Sequence, residues 1–423
     1  MTVPSDPVVH KQLPLQGRPW SELEQAMTEM RDRDADWRRG RTPLHVYFAG
    51  DEVLDVARRA YAMFMSENAL APAAFPSLGR MEQEVVGMAL ALLGGGERAC
   101  GTLTSGGTES IILAVRSAWQ AFRRGRGTPP GRPHLLLPDS AHPAYDKAAD
   151  LMGLAIVRVP LGDDYRACLH ELRRQLRPDT VMMVASAPCL PFGTIDPVEA
   201  IGELALEHGV WLHVDACIGG FLAPFVARFK PDLPRFDLAV PGVRSLSADL
   251  HKFGYAAKGA SLVLYADAED QQGQHFAFGN WPKGLYRTET LTGTRPGGAV
   301  AAAWAVMHHL GEAGYLAVAR RVMDTRDRYV RGLQALPGVR VLGQPPLSVL
   351  AYTADRLDVH ALGDGLEARG WYVSRLSAPP ALHMTVTPAH AQAVEAYLQD
   401  VQALLEQPGP PLSRGAPRRV VTY

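Results

Sequence analysis

Six apolar runs of strand length, His134–Pro138, Ala155–Pro160, Val181–Ser186, Val210–Asp215, Asp237–Pro241 and Ser261–Tyr265, recur along the chain with helix-length amphipathic segments between several of them. Strands buried on both faces read as continuous apolar stretches, and parallel neighbours need a crossover of a dozen or more residues. The chain is therefore expected to form an α/β fold, a mainly parallel sheet flanked by helices. Helices are expected at about 78–93, 107–124, 196–208 and 298–335, the last broken near Gly311 and Gly314. Beyond residue 336 the pattern changes to short strands (Val339–Leu342, Leu347–Tyr352, Trp371–Arg375, Leu382–Val386) with helices near 357–368 and 388–406, a smaller C-terminal α+β domain. The tail from Gln407 is rich in Pro, Gly and Arg and is expected to be loosely ordered.

Composition excludes several classes of function. With 43 basic and 44 acidic residues the 423-residue chain carries a formal charge of −1, which gives no electrostatic reason to expect nucleic acid or an anionic membrane as partner. The cluster Arg123, Arg124, Arg126 and Arg132 reads as a solvated helix end and loop. No stretch approaches about 18 consecutive apolar residues, and the N-terminus lacks a signal-peptide core, so a cytoplasmic protein without an integral membrane segment is expected. Cys100, Cys168, Cys189 and Cys217 show no CxxC or Cys/His spacing, so no metal site is expected and the thiols fit a reducing compartment.

The chemistry concentrates in residues 245–261, SLSADLHKFGYAAKGAS. Only six of the 43 basic residues are lysine, yet Lys252 and Lys258 lie six residues apart in glycine-flanked turns between apolar runs. Upstream, Ser105-Gly106-Gly107-Thr108 opens an apolar helix, so backbone amides, hydroxyls and a helix N-terminus could together cradle a phosphate. Asp215 ends a strand, where a carboxylate can pair with a protonated pyridine nitrogen. Taken singly, each has a plain alternative: solvated lysines, a capped helix after a glycine turn, a buried Asp closing a turn. In combination they specify pyridoxal 5′-phosphate. Lys252 then forms the Schiff base, and as a freed amine moves protons. His142, in the loop Ser140-Ala141-His142-Pro143, is suited to stack on the cofactor ring, and Ser247 and His251 could donate to the phosphate, although turn hydrogen bonding would equally explain both.

Seven segments carry a resemblance: AFPSLGRMEQEVVGMAL (74–90), GTLTSGGTESI (101–111), AHPAYDKAA (141–149), SAPCLPFGTIDPVEAI (186–201), HVDACIGGFLAPF (213–225), SLSADLHKFGYAAKGASLVLY (245–265) and GLYRTETLTGTRPGG (284–298). Together they resemble the group II decarboxylase branch of fold-type-I pyridoxal-phosphate enzymes, and within it the sphingosine-1-phosphate lyases. The resemblance implies the fold-type-I architecture, a mainly parallel seven-stranded sheet with helices on both faces. It implies Lys252 as the Schiff-base lysine, Asp215 as the pyridine-nitrogen partner, His142 as the stacking residue, and Gly107, Thr108 and His251 at the phosphate. Gly293-Thr294-Arg295-Pro296-Gly297 resembles a loop that reaches a neighbouring subunit's site, which implies a homodimer with shared active sites. Domains follow as an N-terminal dimer- and site-contacting segment (1–75), a large cofactor-binding domain (76–312), a small domain (313–406) and a flexible tail (407–423).

Which bond to the amine-bearing carbon breaks depends on how the substrate is oriented. Two outcomes compete: retro-aldol cleavage of a phosphorylated long-chain amino alcohol to an aldehyde and phosphoethanolamine, and α-decarboxylation of an amino acid. Lys258 discriminates, because in the lyases the second lysine, in a YAPKG context, lies near the substrate phosphate. Here the context is Tyr255-Ala256-Ala257-Lys258-Gly259, with the proline lost. Asn68-Ala69-Leu70-Ala71-Pro72 stands where the family carries Asn-Pro-Leu-His, so a polar pocket residue is missing. Tyr47 and Tyr286 are further candidate substrate contacts, though packed aromatics with wet hydroxyls read the same way. Carbon–carbon lyase is the expected activity, and a binding protein that merely kept the fold is disfavoured by the presence of Lys252, Asp215 and His142 together.

Overall fold

The computed structural model describes residues 11–32, 34–126, 131–355 and 357–406, so the tail from Gln407 lies outside the described residues. Seven strands, β1 (Cys100–Thr104), β2 (His134–Pro138), β3 (Ala155–Val159), β4 (Thr180–Ser186), β5 (Trp211–Asp215), β6 (Val243–Ala248) and β7 (Ser261–Tyr265), form one sheet in the order β1-β7-β6-β5-β4-β2-β3. Strands β3, β2, β4, β5 and β6 pair in parallel, and β7 runs antiparallel to both β6 and β1. Strands β2, β4, β5 and β7 are buried at every position, which is why their sequences are continuous apolar runs. Helices cover both faces and close two large apolar cores, one containing Leu136, Leu212 and Leu246, the other Leu135, Leu137 and Val263.

One expected strand is corrected, one strand is new, and the expected helix break falls at Gly311 alone. Asp237–Pro241 is not a strand: the Asp237 side chain accepts from the Ala239 amide at 3.1 Å and folds the segment into a turn, so the pairing strand is β6, six residues later. Strand β1 is additional, hidden in a CGTLT sequence that mixes glycine and threonine. The long helix Gly297–Ala335 breaks at Gly311, which adopts φ 52° and ψ −175°, whereas Gly314 stays helical.

A hairpin, β8 (Phe276–Phe278) and β9 (Tyr286–Thr288), follows the main sheet. The C-terminal strands β10 (Val339–Val341), β11 (Val349–Ala354), β12 (Ser374–Ser377) and β13 (Pro380–Thr385) form an antiparallel sheet over a separate core with Tyr329, Leu362 and Tyr397. The segment before helix Asp51–Met63 is sewn to this small sheet: Tyr372 and Thr385 donate backbone N–H to Arg41 and Pro43 carbonyls at 2.9 and 2.8 Å. It then reaches the large domain, where the Tyr47 ring meets Phe253 edge-on.

Topology determines where chemistry can occur. Thr104 pairs with Ser261, Ala248 with Leu262, Asp215 with Ser247, and Ser186 with Asp215. The carboxyl ends of β1, β4, β5 and β6 and the amino end of the reversed β7 therefore share one edge, the usual ligand edge of such sheets.

Candidate active site

A cavity of about 480 Å³ opens at that edge. Its walls bring together Ser105, Gly106, Gly107 and Thr108 from the start of helix Gly107–Arg126, His142 from the loop after β2, Asp215 from the end of β5, and His251, Lys252 and Lys258 after β6. A cleft of about 700 Å³ at the opposite edge, beside Trp211, holds an Arg244–Asp270 ion pair.

Lys252 is presented by the tight turn that follows β6, and its ammonium lies 3.0 Å from Asp249 Oδ2. Burial is the largest influence and opposes the charged amine, but Asp249, the foremost of several opposing charges that include Tyr47, Cys217 and Asp215, helps hold the lysine well above its ordinary pKa. Asp249 in turn accepts from Ser261 at 2.5 Å; Ser261 bonds Ser110 at 2.9 Å, and Ser110 bonds Thr104 at 2.6 Å. This hydroxyl relay ties the anchor lysine to the glycine loop. Only the reversal of β7 places Ser261 there.

The glycine loop fits a phosphate on steric grounds. A Cβ at Gly107 would stand 2.8 Å from Cys217 Sγ and 2.9 Å from Asp249 Oδ1, so only glycine lets the backbone pass, while a Cβ at Gly106 would meet nothing within 4 Å. Glu109 holds the loop from behind, accepting from the Ser105 amide at 2.7 Å and the Leu291 amide at 2.9 Å. The Ser140 hydroxyl, on the cavity wall, is buried without a hydrogen-bond partner among the described residues. An orphaned donor of this kind is an expected property of a site shaped for a polar ligand.

At the other end, Asp215 Oδ1 accepts from the Cys217 amide at 3.1 Å and from Ser247 at 3.5 Å, which leaves Oδ2 for a ligand. Ser247, expected at the phosphate, instead bonds Asp215, His213 and Cys217 behind the cavity wall. The His142 Nδ1 accepts from the Ala144 amide at 3.1 Å, so a neutral ring carries its proton on Nε2; burial, ahead of the opposing pull of Asp215, lowers its pKa and favours that neutral form. His251 turns Nδ1 to the Ala260 carbonyl at 2.7 Å, and burial lowers its pKa as well.

Lys258 stands at the exposed mouth, 3.4 Å from the His251 carbonyl and 5.3 Å from the centroid of the Tyr47 ring. Burial by its neighbours and the charge of Lys252 lower its pKa to about 8, and no carboxylate forms an ion pair with it among the described residues. The structure does not bring Gly293, Thr294 or Tyr286 to this cavity. Thr294 is held by Asn68 at 3.3 Å, Gly293 lies against Tyr286, and Tyr286 packs with Phe276 and Trp281 on the hairpin. The sequence reading missed Asp249 and Glu109, although the i,i+3 spacing of Asp249 and Lys252 was visible in DLHK.

The donor set suits pyridoxal phosphate: an amine for its aldehyde, a glycine cradle for its phosphate, a flat neutral imidazole for its ring face and a carboxylate for its ring nitrogen. Residues 44–339 match the family model of the pyridoxal-dependent decarboxylase conserved domain. Sphingosine-1-phosphate lyase of Oryza sativa subsp. japonica is 39% identical over 393 residues, covering 90% of this chain and 72% of that protein. A probable L-tyrosine/L-aspartate decarboxylase of Methanothermobacter thermautotrophicus is 34% identical over 354 residues, 82% of this chain and 94% of that protein. Among solved structures, a sphingosine-1-phosphate lyase of Burkholderia pseudomallei superposes with a TM-score of 0.90 at 38% identity, over 94% of this chain and 93% of that one.

Proposed function

The chain belongs to the pyridoxal-dependent decarboxylase family and is a pyridoxal-phosphate-dependent lyase, and from that premise we propose that it cleaves a phosphorylated long-chain amino alcohol, of the sphingosine-1-phosphate kind, to an aldehyde and phosphoethanolamine. Lys258 is the observation that carries this reading: a cation without an ion-pair partner among the described residues, in the same cavity as Lys252, is placed for an anionic head group. The sphingosine-1-phosphate lyase relatives support the same substrate class.

When bound, pyridoxal phosphate accepts the electron pair released as a bond to the substrate's amine-bearing carbon breaks. Lys252 Nζ would be its covalent anchor, Asp215 would pair with its ring nitrogen, His142 would stack on its ring, and Gly107, Thr108 and His251 would hold its phosphate. Lys258 and Tyr47 hold the substrate's phosphate end and so decide which bond stands in line for cleavage. Lys252 Nζ, with Asp249 beside it, delivers a proton to the substrate carbon after the bond is broken.

The working form is a homodimer in the cytoplasm. In support, helix Trp20–Arg31 buries none of its residues and leaves Trp20 and Met30 65% and 72% exposed, an apolar face suited to a second copy. Gly293 and Thr294, away from their own chain's cavity, would then serve the neighbouring site, with 1–75 contacting it, 76–312 holding the cofactor and 313–406 forming the small domain. Four free thiols suit a reducing compartment, and among the described residues no helix is long and apolar enough to cross a membrane. Product analysis with a panel of amines tests the activity. A long-chain aldehyde released only from phosphorylated amino alcohols is expected; carbon dioxide from amino acids without aldehyde would replace lyase by decarboxylase.

A further inference from the structure

Residues Trp211, His213 and Asp215 of β5 point to one face of the sheet, as do Ser245 and Ser247 of β6, because side chains alternate along a strand. The register sets His213 beside Ser245 and Asp215 beside Ser247, so the polar members of WLHVD and SLS interleave into a single row. We propose that this row is a one-way hydrogen-bond chain ending on Asp215, in which His213 is a positioning residue that turns and supports the carboxylate without lending it a charge. The proposal rests on the reading of Asp215 as the partner of the cofactor's ring nitrogen.

The direction follows from what each group is able to do. An indole nitrogen only donates, so Trp211 Nε1–H is given to Ser245 Oγ, at 2.8 Å. Ser245 has a proton of its own and, among the described residues, one remaining neighbour to take it, His213 Nδ1 at 2.8 Å. His213 therefore accepts at Nδ1 and carries its hydrogen on Nε2, which faces Ser247 Oγ at 3.3 Å. Ser247 then donates to Asp215 Oδ1 at 3.5 Å, the longest link. In the opposite tautomer His213 and Trp211 would both donate to Ser245, stranding the hydroxyl hydrogen of a residue with no solvent exposure.

The row is held at its start and at its middle. Arg244 lies over the Trp211 ring at 4.1 Å, and the Tyr145 ring meets His213 edge-on at 6.1 Å. Burial, against the pull of Asp215, lowers the His213 pKa to about 4, so the imidazole is neutral at physiological pH. A cationic histidine here would compete with the ring nitrogen for Asp215. With His213 neutral, Oδ1 accepts only from Ser247 and the Cys217 amide, and Oδ2 is left for the ring nitrogen.

The test is nitrogen NMR of the full chain with labelled histidine, using a His213→Gln variant to assign the signal. His213 is expected as the Nε2–H tautomer, neutral down to about pH 5. An Nδ1–H tautomer for His213 in the wild-type chain overturns the proposal. Ser245→Ala should give a mixed tautomer and lower the affinity for pyridoxal phosphate, read by absorbance titration, by about tenfold, the lower end of what loss of an outer hydrogen-bond partner costs at metal sites. Ser245→Thr should restore both. Unchanged tautomer and affinity in Ser245→Ala would also sink the chain. An Asp215→Asn chain that binds the cofactor as tightly as wild type overturns instead the reading of Asp215, and with it the purpose assigned here, while the measured tautomer stands by itself.

Discussion

Lys252 Nζ and Asp249 Oδ2 are 3.0 Å apart, three residues apart in sequence and on the same turn, so the anchoring amine is born beside its own counterion. Asp249 is 2% exposed and also receives Ser261, which means the pair cannot relax into water when either member changes. The carboxylate keeps the amine protonated, whereas attack on the cofactor's aldehyde requires it neutral.

Asp249→Asn should therefore lower the Lys252 pKa and shift the pH profile of cofactor uptake by the cofactor-free chain toward acid. The measurement is the rate at which the visible band of the lysine-bound cofactor grows after mixing, as a function of pH. A profile that stays in place would mean that Asp249 does not govern the amine. Lys252→Ala should abolish the band and turnover together, and activity retained in that variant would remove Lys252 from its role.

Gly107→Ala probes the cradle. The added methyl would press on Cys217 Sγ and both Asp249 oxygens, at 2.8 to 3.0 Å. Overpacking of this kind costs about 1–3 kcal/mol, so a modest loss of stability is expected from denaturation of the cofactor-free chain, with a larger loss once the stabilisation by bound cofactor is included. Equal losses in the two forms would separate Gly107 from phosphate binding.

Lys252 and Asp215 were legible in the sequence because each sits beside a local signal, a strand ending in a carboxylate or a lysine in a glycine-flanked turn. The partners that set their properties were not. Ser110 and Ser261 meet across 151 residues, and only because β7 runs against its neighbours. Strand β1 escaped because Gly101 and two threonines dilute its apolar pattern, and Asp237–Pro241 imitated a strand until the Asp237 side chain closed it into a turn. Side-chain hydrogen bonds decided these cases, and hydrophobic periodicity does not report them.

Arg295 is a buried fastener. It makes two bonds to Glu82, at 2.7 and 3.0 Å, and two to the carbonyls of Leu103 and Ala69, at 3.1 and 3.2 Å, joining the 293–297 loop to β1 and to the segment before helix Pro76–Leu92. Both side chains are more than four-fifths buried, so Arg295→Met, which abandons the Glu82 charge, should destabilise the protein by about 3–5 kcal/mol in chemical denaturation. The double variant with Glu82→Leu should recover much of that loss. A single variant no weaker than the double one would show that the stranded charge is not what hurts.

Lys258 gives the sharpest pH prediction. Its lowered pKa, about 8, arises from burial first and from Lys252 second, and the ammonium form is the one that attracts a phosphate. A substrate phosphate is dianionic above about pH 6, so attraction is greatest between that value and the Lys258 pKa. As pH rises through about 8 the free enzyme loses the Lys258 proton, and kcat/KM for a phosphorylated substrate, which reports free-enzyme ionisations, should fall along a one-proton limb. Lys258→Arg, charged at all these pH values, should remove the limb or push it well into alkali. Lys258→Ala should flatten it and raise KM by about tenfold, the equivalent of 1.4 kcal/mol, while leaving the spectrum of the bound cofactor nearly unchanged. An alkaline limb that persists unaltered in Lys258→Arg would assign the ionisation to another group and take the phosphate contact away from Lys258.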